Sequence, residues 1–324
     1  LVTEVHLTGS LATHDAIVYG RGEEGGARKA RGERLLAKRI TSELGNVSPV
    51  IVVPGRWGAR EMRFQAEHLA TQMKQNDGFL CNAAKVLVLH EAGEQKEEFL
   101  DALREVLSRL PARRAYYPGA IERWESFTAS HPDVELIGPV GSGMIPATLL
   151  RGVDPASAHK AFTEEAFCAI TATTELAGDG PAEFLAGAVE FCNTSLTGTL
   201  NATILADPGT LKSLGSAVDE AVTRLEYGSV GVNIWGGAGY GLGATVWGGF
   251  PVPDGEEAPS GVGFVHNSLL IDRPQKSVAW TPFRIFPKPP WFITHRNAPR
   301  AMRYFAEFET DPSWPRLAKV GAAV

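Results

Sequence analysis

Apolar positions fall along this chain in short runs that alternate between helical spacing and continuous, strand-like stretches. Residues 2–7, Val-Thr-Glu-Val-His-Leu, read as a strand, Gly9-Ser10 as a tight turn and residues 13–19 as a helix. Residues 20–39 are rich in Gly, Arg, Lys and Glu and read as a solvated loop with a charged helical turn; a contact to a cofactor phosphate is the lesser alternative. Ile51-Val52-Val53 follows Pro49 as a short buried strand. Met62, Phe64, Leu69 and Met73 give residues 61–75 a helical stripe. A strand over 86–89 and an amphipathic helix over 97–110 follow. Residues 112–140 then hold a turn at Tyr117-Pro-Gly119, a short helix and a strand over 134–137.

The second half repeats the alternation. Strands are expected over 167–174, 199–205 and 229–234, and helices over 182–191 and 211–225. Residues 235–263 are dense in glycine and aromatics and read as an ordered, irregular loop region. The proline-rich stretch 277–291 reads as an edge strand continued by an extended arm. Strands alternating with helices predict an α/β fold with mostly parallel sheets.

Composition narrows the function classes. At 324 residues and 44% hydrophobic, the chain can fill one large core or two modest ones. A net charge of -6 argues against a nucleic-acid surface, which needs clustered positive charge. No apolar run reaches the length of a membrane span. Three cysteines, Cys81, Cys168 and Cys192, make an odd number, so a disulfide framework is not expected and a reducing compartment such as the cytoplasm is. None lies at metal-ligand spacing from another cysteine or a histidine, so no metal site is expected. The first residue is Leu1, no signal peptide precedes the opening strand, and the chain is therefore expected to be a fragment or a processed product.

Three segments carry the candidate chemistry: Thr41-Ser-Glu-Leu-Gly-Asn-Val-Ser-Pro49, Asn76-Asp-Gly-Phe-Leu-Cys-Asn-Ala83 and Thr163-Glu-Glu-Ala-Phe167. In this order they resemble the glutamate, cysteine and Glu-x-Phe motifs of the aldehyde dehydrogenase superfamily. Val5-His-Leu-Thr-Gly-Ser10 resembles the strand and Gly-Ser turn beneath the dinucleotide. Val230-Gly-Val-Asn233 resembles the strand before the substrate-tunnel loops, and Lys288-Pro-Pro-Trp-Phe292 the closing segment. The resemblance runs from about residue 2 to residue 292. It marks a divergent member: His14 stands near a usual glycine, Asn46 and Val47 replace Gly-Lys, and Cys168 and Ala169 replace Gly-Pro.

The chemistry can also be argued from the residues. Oxidising an aldehyde to an acid requires a tetrahedral adduct, which a thiolate can form and leave as a thioester. Cys81, in a turn between a helix and a strand beside Gly78, suits that role; a buried structural cysteine is the bland alternative. Hydrolysis of the thioester needs a carboxylate base, and Glu43 at a strand end before Gly45 suits it. The acylating relatives lack a glutamate there, which favours hydrolysis over transfer to coenzyme A.

The resemblance implies further roles. Glu165 and Phe167 would hold the nicotinamide ribose and ring, and Gly9, Ser10 and Leu44 would complete the contacts of NAD or NADP. Residues 1–44 would be the remaining part of a dinucleotide-binding domain, 45–273 an α/β catalytic domain, 274–292 an oligomerisation arm and 293–324 a C-terminal extension. A homodimer or homotetramer is expected, with a small-molecule aldehyde as substrate. Trp235, Tyr240, Trp247 and Phe250 would line a substrate tunnel, or simply pack in the core. Two rivals stand beside this reading: an acyl-transfer enzyme, coenzyme A-acylating or esterase, and a non-catalytic member that kept the fold.

Overall fold

A computed structural model of the chain describes residues 2–111, 113–253, 257–267 and 269–324. Residues 254–256, in the glycine-rich region expected over 235–263, lie outside the described residues. Two parallel strands, β1 (Glu4–Thr8) and β2 (Arg39–Glu43), form a small sheet of their own, with Thr8 opposite Glu43. The connection between them is more ordered than its composition suggests. After the helix Leu11–Val18, the charged stretch forms a nine-residue helix, Gly22–Ala30. Glu23 and Glu24 sit in its first turn and Arg28 and Lys29 in its last, each sign favoured by the helix dipole at its end.

The main sheet has eight strands: β3 (Ser48–Val52), β4 (Ala84–His90), β5 (Val134–Ile137), β6 (Ala147–Leu150), β7 (Ile170–Leu176), β8 (Asn201–Leu205), β9 (Ser229–Val232) and β10 (Ser277–Trp280). Their spatial order is β10-β9-β8-β3-β4-β7-β6-β5. All neighbours run parallel except β5 and β6, so the expected mostly parallel α/β class is observed. Every residue of β3, β4 and β8 is buried, which explains why they read as continuous apolar runs: helices cover both faces. Val50, Val52, Leu87 and Leu89 face the helices Ala59–Lys74 and Lys96–Ser108. Ile51, Val53, Val86 and Val88 face the opposite core, which takes in the helices Pro181–Ser195 and Ser216–Arg224.

Three local expectations are corrected. The helix expected over 211–225 is two helices, Pro208–Leu214 and Ser216–Arg224, because Gly215 at φ 54° breaks the run. The strand expected from residue 167 starts at Ile170, since Phe167 itself is left-handed at φ 44°. The strand Ala147–Leu150 was not expected; four residues are too few to show a period. The edge strand expected after residue 277 is observed as β10, paired with β9 of its own chain. Beyond it, the helices Ala298–Thr310 and Trp314–Ala323 pack on each other.

Candidate active site

Glu43, Cys81 and Glu165 come from three separate elements and meet at one place. Glu43 is the last residue of β2 and is buried. Cys81 lies in the turn between the short 3-10 helix Gln75–Gly78 and β4, and Glu165 in the extended segment before β7. Both therefore stand at the amino-terminal ends of parallel strands of the main sheet, with the end of the small sheet beside them. The Cys81 thiol lies beside the Glu43 carboxylate. Burial pushes this thiol above its ordinary range, and the negative charges of Glu43 and Glu165 push the same way. Cys81 is half-buried, whereas Cys168 and Cys192 are fully buried, so it is the most accessible of the three thiols.

Burial also pushes the Glu165 carboxyl up to about 7, with Glu43 adding to the effect. Lys85, the Asn46 backbone N–H and Arg123 oppose it. Glu165 Oε1 and Glu43 Oε1 are both buried without a hydrogen-bond partner among the described residues. Carboxylate oxygens in that state call for a donor from a bound molecule or water.

The turn that presents Cys81 is set by backbone close to the limit of what side chains tolerate. Asn76, Asp77 and Gly78 are consecutively left-handed, at φ 50°, 54° and 74°. A Cβ on Gly78 would lie 2.6 Å from the Cys168 carbonyl carbon, so glycine lets this turn press against the segment that carries Glu165. Lys85 clamps the two together. Its Nζ donates to Gly78 O at 3.2 Å and to Cys168 O at 2.7 Å, and burial lowers its pKa. Beneath the turn, Lys74 and Asp77 form a buried ion pair. Arg123 donates to Ala166 O at 3.2 Å and steadies the other side of Glu165.

The cofactor residues expected from the sequence fall on the same edge. Gly9 N–H donates to Glu43 O at 3.1 Å, which ties the Gly-Ser turn to the glutamate strand. Ser10 caps the helix Leu11–Val18, its hydroxyl accepting from Thr13 N–H at 3.2 Å. Leu44 is buried and its N–H donates to Ser260 O at 3.1 Å. Phe167 packs edge-on against Tyr117 at 4.8 Å, and both rings lie near Phe79, two residues before Cys81.

Of the four aromatics assigned to a tunnel, Trp235 reaches the cysteine turn, donating from Nε1 to Asn82 O at 2.9 Å. The other three pack elsewhere. Tyr240 is exposed and lies edge-on to the fully buried Trp247, and Phe250 lies under the Lys276 ammonium. Sequence reasoning missed Lys85, Arg123 and Tyr117. A lysine inside the otherwise apolar run of β4 was the one legible sign.

No protein-family model matches the sequence, and no curated protein matches it. Solved structures do match. The NAD-dependent aldehyde dehydrogenase from Sinorhizobium meliloti aligns at 19% identity with a TM-score of 0.61, over 82% of this chain and 48% of that one. The chain has the aldehyde dehydrogenase fold. The same fold is shared with a salicylaldehyde dehydrogenase from Pseudomonas putida, solved with salicylaldehyde (18% identity, TM-score 0.62, 83% of this chain and 50% of that one). It is shared too with an NADP-dependent glyceraldehyde-3-phosphate dehydrogenase from Bacillus halodurans, solved with NADP (16% identity, TM-score 0.62, 82% and 49%). The chain thus spans about half the length of the structures it matches. In the aldehyde dehydrogenase fold seen here, no helix among the described residues is long and apolar enough to cross a membrane.

Proposed function

We propose that the protein takes part in NAD(P)-dependent oxidation of an aldehyde to a carboxylic acid, with Cys81 as nucleophile and Glu43 as general base. The observation that carries this reading is the meeting of the half-buried Cys81 thiol with the buried Glu43 carboxylate, with Glu165 beside them. Every solved structure named above is a dehydrogenase acting on an aldehyde, by its own description.

The residues fit a nicotinamide dinucleotide. Glu165 offers an unpartnered buried oxygen, as a ribose hydroxyl requires, and Phe167 and Tyr117 supply aromatic faces close by. Gly9 and Ser10 lead from β1 into a helix N-terminus, where a diphosphate is favoured. When bound, NAD(P)+ supplies the hydride acceptor.

The chain's own residues would divide the remaining work. Cys81 Sγ adds to the aldehyde carbon while its proton passes to Glu43, leaving a thiohemiacetal whose oxygen faces the Cys81 backbone N–H. Oxidation leaves a thioester on Sγ. Glu43, having passed the thiol's proton on to solvent, then takes a proton from water, which attacks the thioester and releases the acid, with Cys81 Sγ leaving as the thiolate. The substrate is a small aldehyde, and the assembly is proposed to be a homodimer or homotetramer of a cytoplasmic enzyme. Residues 1–44 would serve the cofactor, 45–273 catalysis and 274–292 assembly.

Two substitutions test the division. Cys81→Ala should abolish NAD(P)H formation. Glu43→Gln, which keeps size and hydrogen bonding, should still give a burst of up to one NAD(P)H per active site before slow turnover. Stopped-flow absorbance reads both. Wild-type steady-state turnover in a folded Glu43→Gln protein would remove Glu43 from the mechanism.

A further inference from the structure

The catalytic residues stand at the amino-terminal ends of β4 and β7. At the opposite, carboxyl-terminal ends of β3 and β4 lies a separate cavity of about 300 Å³. It sits beside the point where the chain's direction across the sheet reverses. From β3 the chain moves to β4, whereas β8, on the other side of β3, leads away to β9. In open α/β sheets the crevice outside the carboxyl ends of the strands at such a reversal is where ligands bind.

The cavity's chemistry is mixed in a specific way. Val52, Leu89 and Phe99 give it an apolar wall. Trp57 and His90, with only 8% and 9% of their surface exposed, also line it, and each has a buried nitrogen without a hydrogen-bond partner among the described residues, Trp57 Nε1 and His90 Nδ1. The indole N–H is a donor awaiting an acceptor. His90 Nε2 is used by Gly178 O at 2.9 Å, so that nitrogen carries the ring's proton and Nδ1 is left over.

Two long helices begin at the cavity, Lys96–Ser108 and Pro181–Ser195. Neither has a side-chain cap at its N-cap residue, so two positive dipole ends meet there, with Glu97, Glu98 and Glu183 in their first turns. At the rim, Lys96 is engaged by Glu175 at 2.6 Å. Arg56 is exposed and, among the described residues, pairs with Glu94 alone, at 4.0 Å, which leaves its guanidinium able to take an anion. Glu61 and Glu98 are occupied by the Gly58 N–H and Gln95.

We propose that this cavity is a second binding site, distinct from the Cys81 centre, for a small organic carboxylate with an apolar body. The carboxylate would sit among the helix ends, Arg56 and the Trp57 indole N–H, and the apolar part against Val52, Leu89 and Phe99. Neither an inorganic anion nor a neutral apolar molecule would satisfy both halves. The inference does not depend on the oxidation chemistry.

Sodium benzoate is the probe, with benzyl alcohol and inorganic phosphate as controls. Calorimetric titration of the whole chain should show saturable benzoate binding at millimolar affinity or better, and at least about tenfold weaker binding of either control. Gly180 is extended at φ 166° and a Cβ there meets nothing within 4 Å, so Gly180→Phe can place a ring at the cavity without straining the backbone. It should abolish benzoate binding. Arg56→Gln, at an exposed position, should weaken it several-fold, and Cys81→Ala should leave it unchanged. The Trp57 indole N–H resonance, identified by its loss in Trp57→Phe, should move on adding benzoate to the wild type. Equal binding of phosphate or benzyl alcohol would overturn the ligand class. Undiminished binding in both folded Gly180→Phe and Arg56→Gln, loss in Cys81→Ala, or no saturable binding would overturn the site.

Discussion

Glu165 occupies the space where Gly45 would carry a side chain: a Cβ added to Gly45 would lie 2.3 Å from Glu165 Oε2. The absence of a methyl group in the glutamate motif is thus what lets the carboxylate of the third motif settle against it. Gly45→Ala should fold, because the atom it displaces is the tip of a flexible side chain. The loss of stability should stay within about 1 kcal/mol. With Glu165 pushed aside, NAD(P) affinity should fall about tenfold, the scale of one lost hydrogen bond to a charged group. A fluorescence titration of the nicotinamide cofactor checks this, and unchanged affinity in the folded variant would separate Glu165 from cofactor binding.

Cys81 should be the thiol that iodoacetamide labels, since Cys168 and Cys192 are closed to solvent. Its pKa is raised, so little thiolate exists at neutral pH, and the labelling rate should climb about tenfold per pH unit from 7 to 9. Replacing the neighbouring charge by Glu43→Gln lowers the thiol's pKa and should speed labelling of the free protein several-fold. Peptide mapping after limited labelling reads site and rate together. A rate that is flat over this range would contradict the burial argument.

The buried Glu165 carboxyl gives a pH dependence to stability. Its pKa is raised from 4.5 unfolded to about 7 folded, so the native state holds a proton that the unfolded chain gives up. The contribution is fully present below pH 4.5 and is lost as the pH rises to about 7. At most it is on the order of 3 kcal/mol. Urea denaturation of the wild type and Glu165→Gln, compared at several pH values, should show the variant gaining on the wild type across that window. Parallel curves would show that the carboxyl is solvated in solution.

Lys85→Met keeps the length of the side chain and removes its donors. Gly78 O and Cys168 O then lose the bonds that join the cysteine turn to the Glu165 segment. A loss of about 2 kcal/mol is expected by urea denaturation. The rate of Cys81 alkylation should change as well, which loss of stability at a remote position would not cause. A variant with wild-type stability and labelling would show that the clamp does not hold the turn.

Much of the fold could be read along the chain because its core strands are short-range objects. β3 and β4 are covered on both faces, so they appear as unbroken apolar runs, and the stripe on Ala59–Lys74 appears as a helical period. Gly215 and Phe167 were misread for a related reason: each changes the backbone at a single residue inside a run whose composition still suits a helix or strand. The charged stretch that became Gly22–Ala30 has no apolar stripe to show; the order of its acidic and basic residues was the available sign.

The sequence by itself determined which residues could do chemistry. The thiol, the carboxylates and the glycines around them are local facts, and so is their order in the three motifs. Only the tertiary structure decided that they meet. Glu43 and Cys81 are 38 positions apart and Glu165 lies 84 further on, and what joins them is the parallel pairing of β4 with β7 and the pressing of Gly78 and Gly45 against the Glu165 segment. Burial, and with it the raised pKa values of Cys81 and Glu165, exists only once that packing is made, because desolvation is a property of the assembled site and not of a residue's neighbours in the chain. The Lys85 clamp and the cavity at the far ends of β3 and β4 arise the same way, from groups that no spacing along the chain connects.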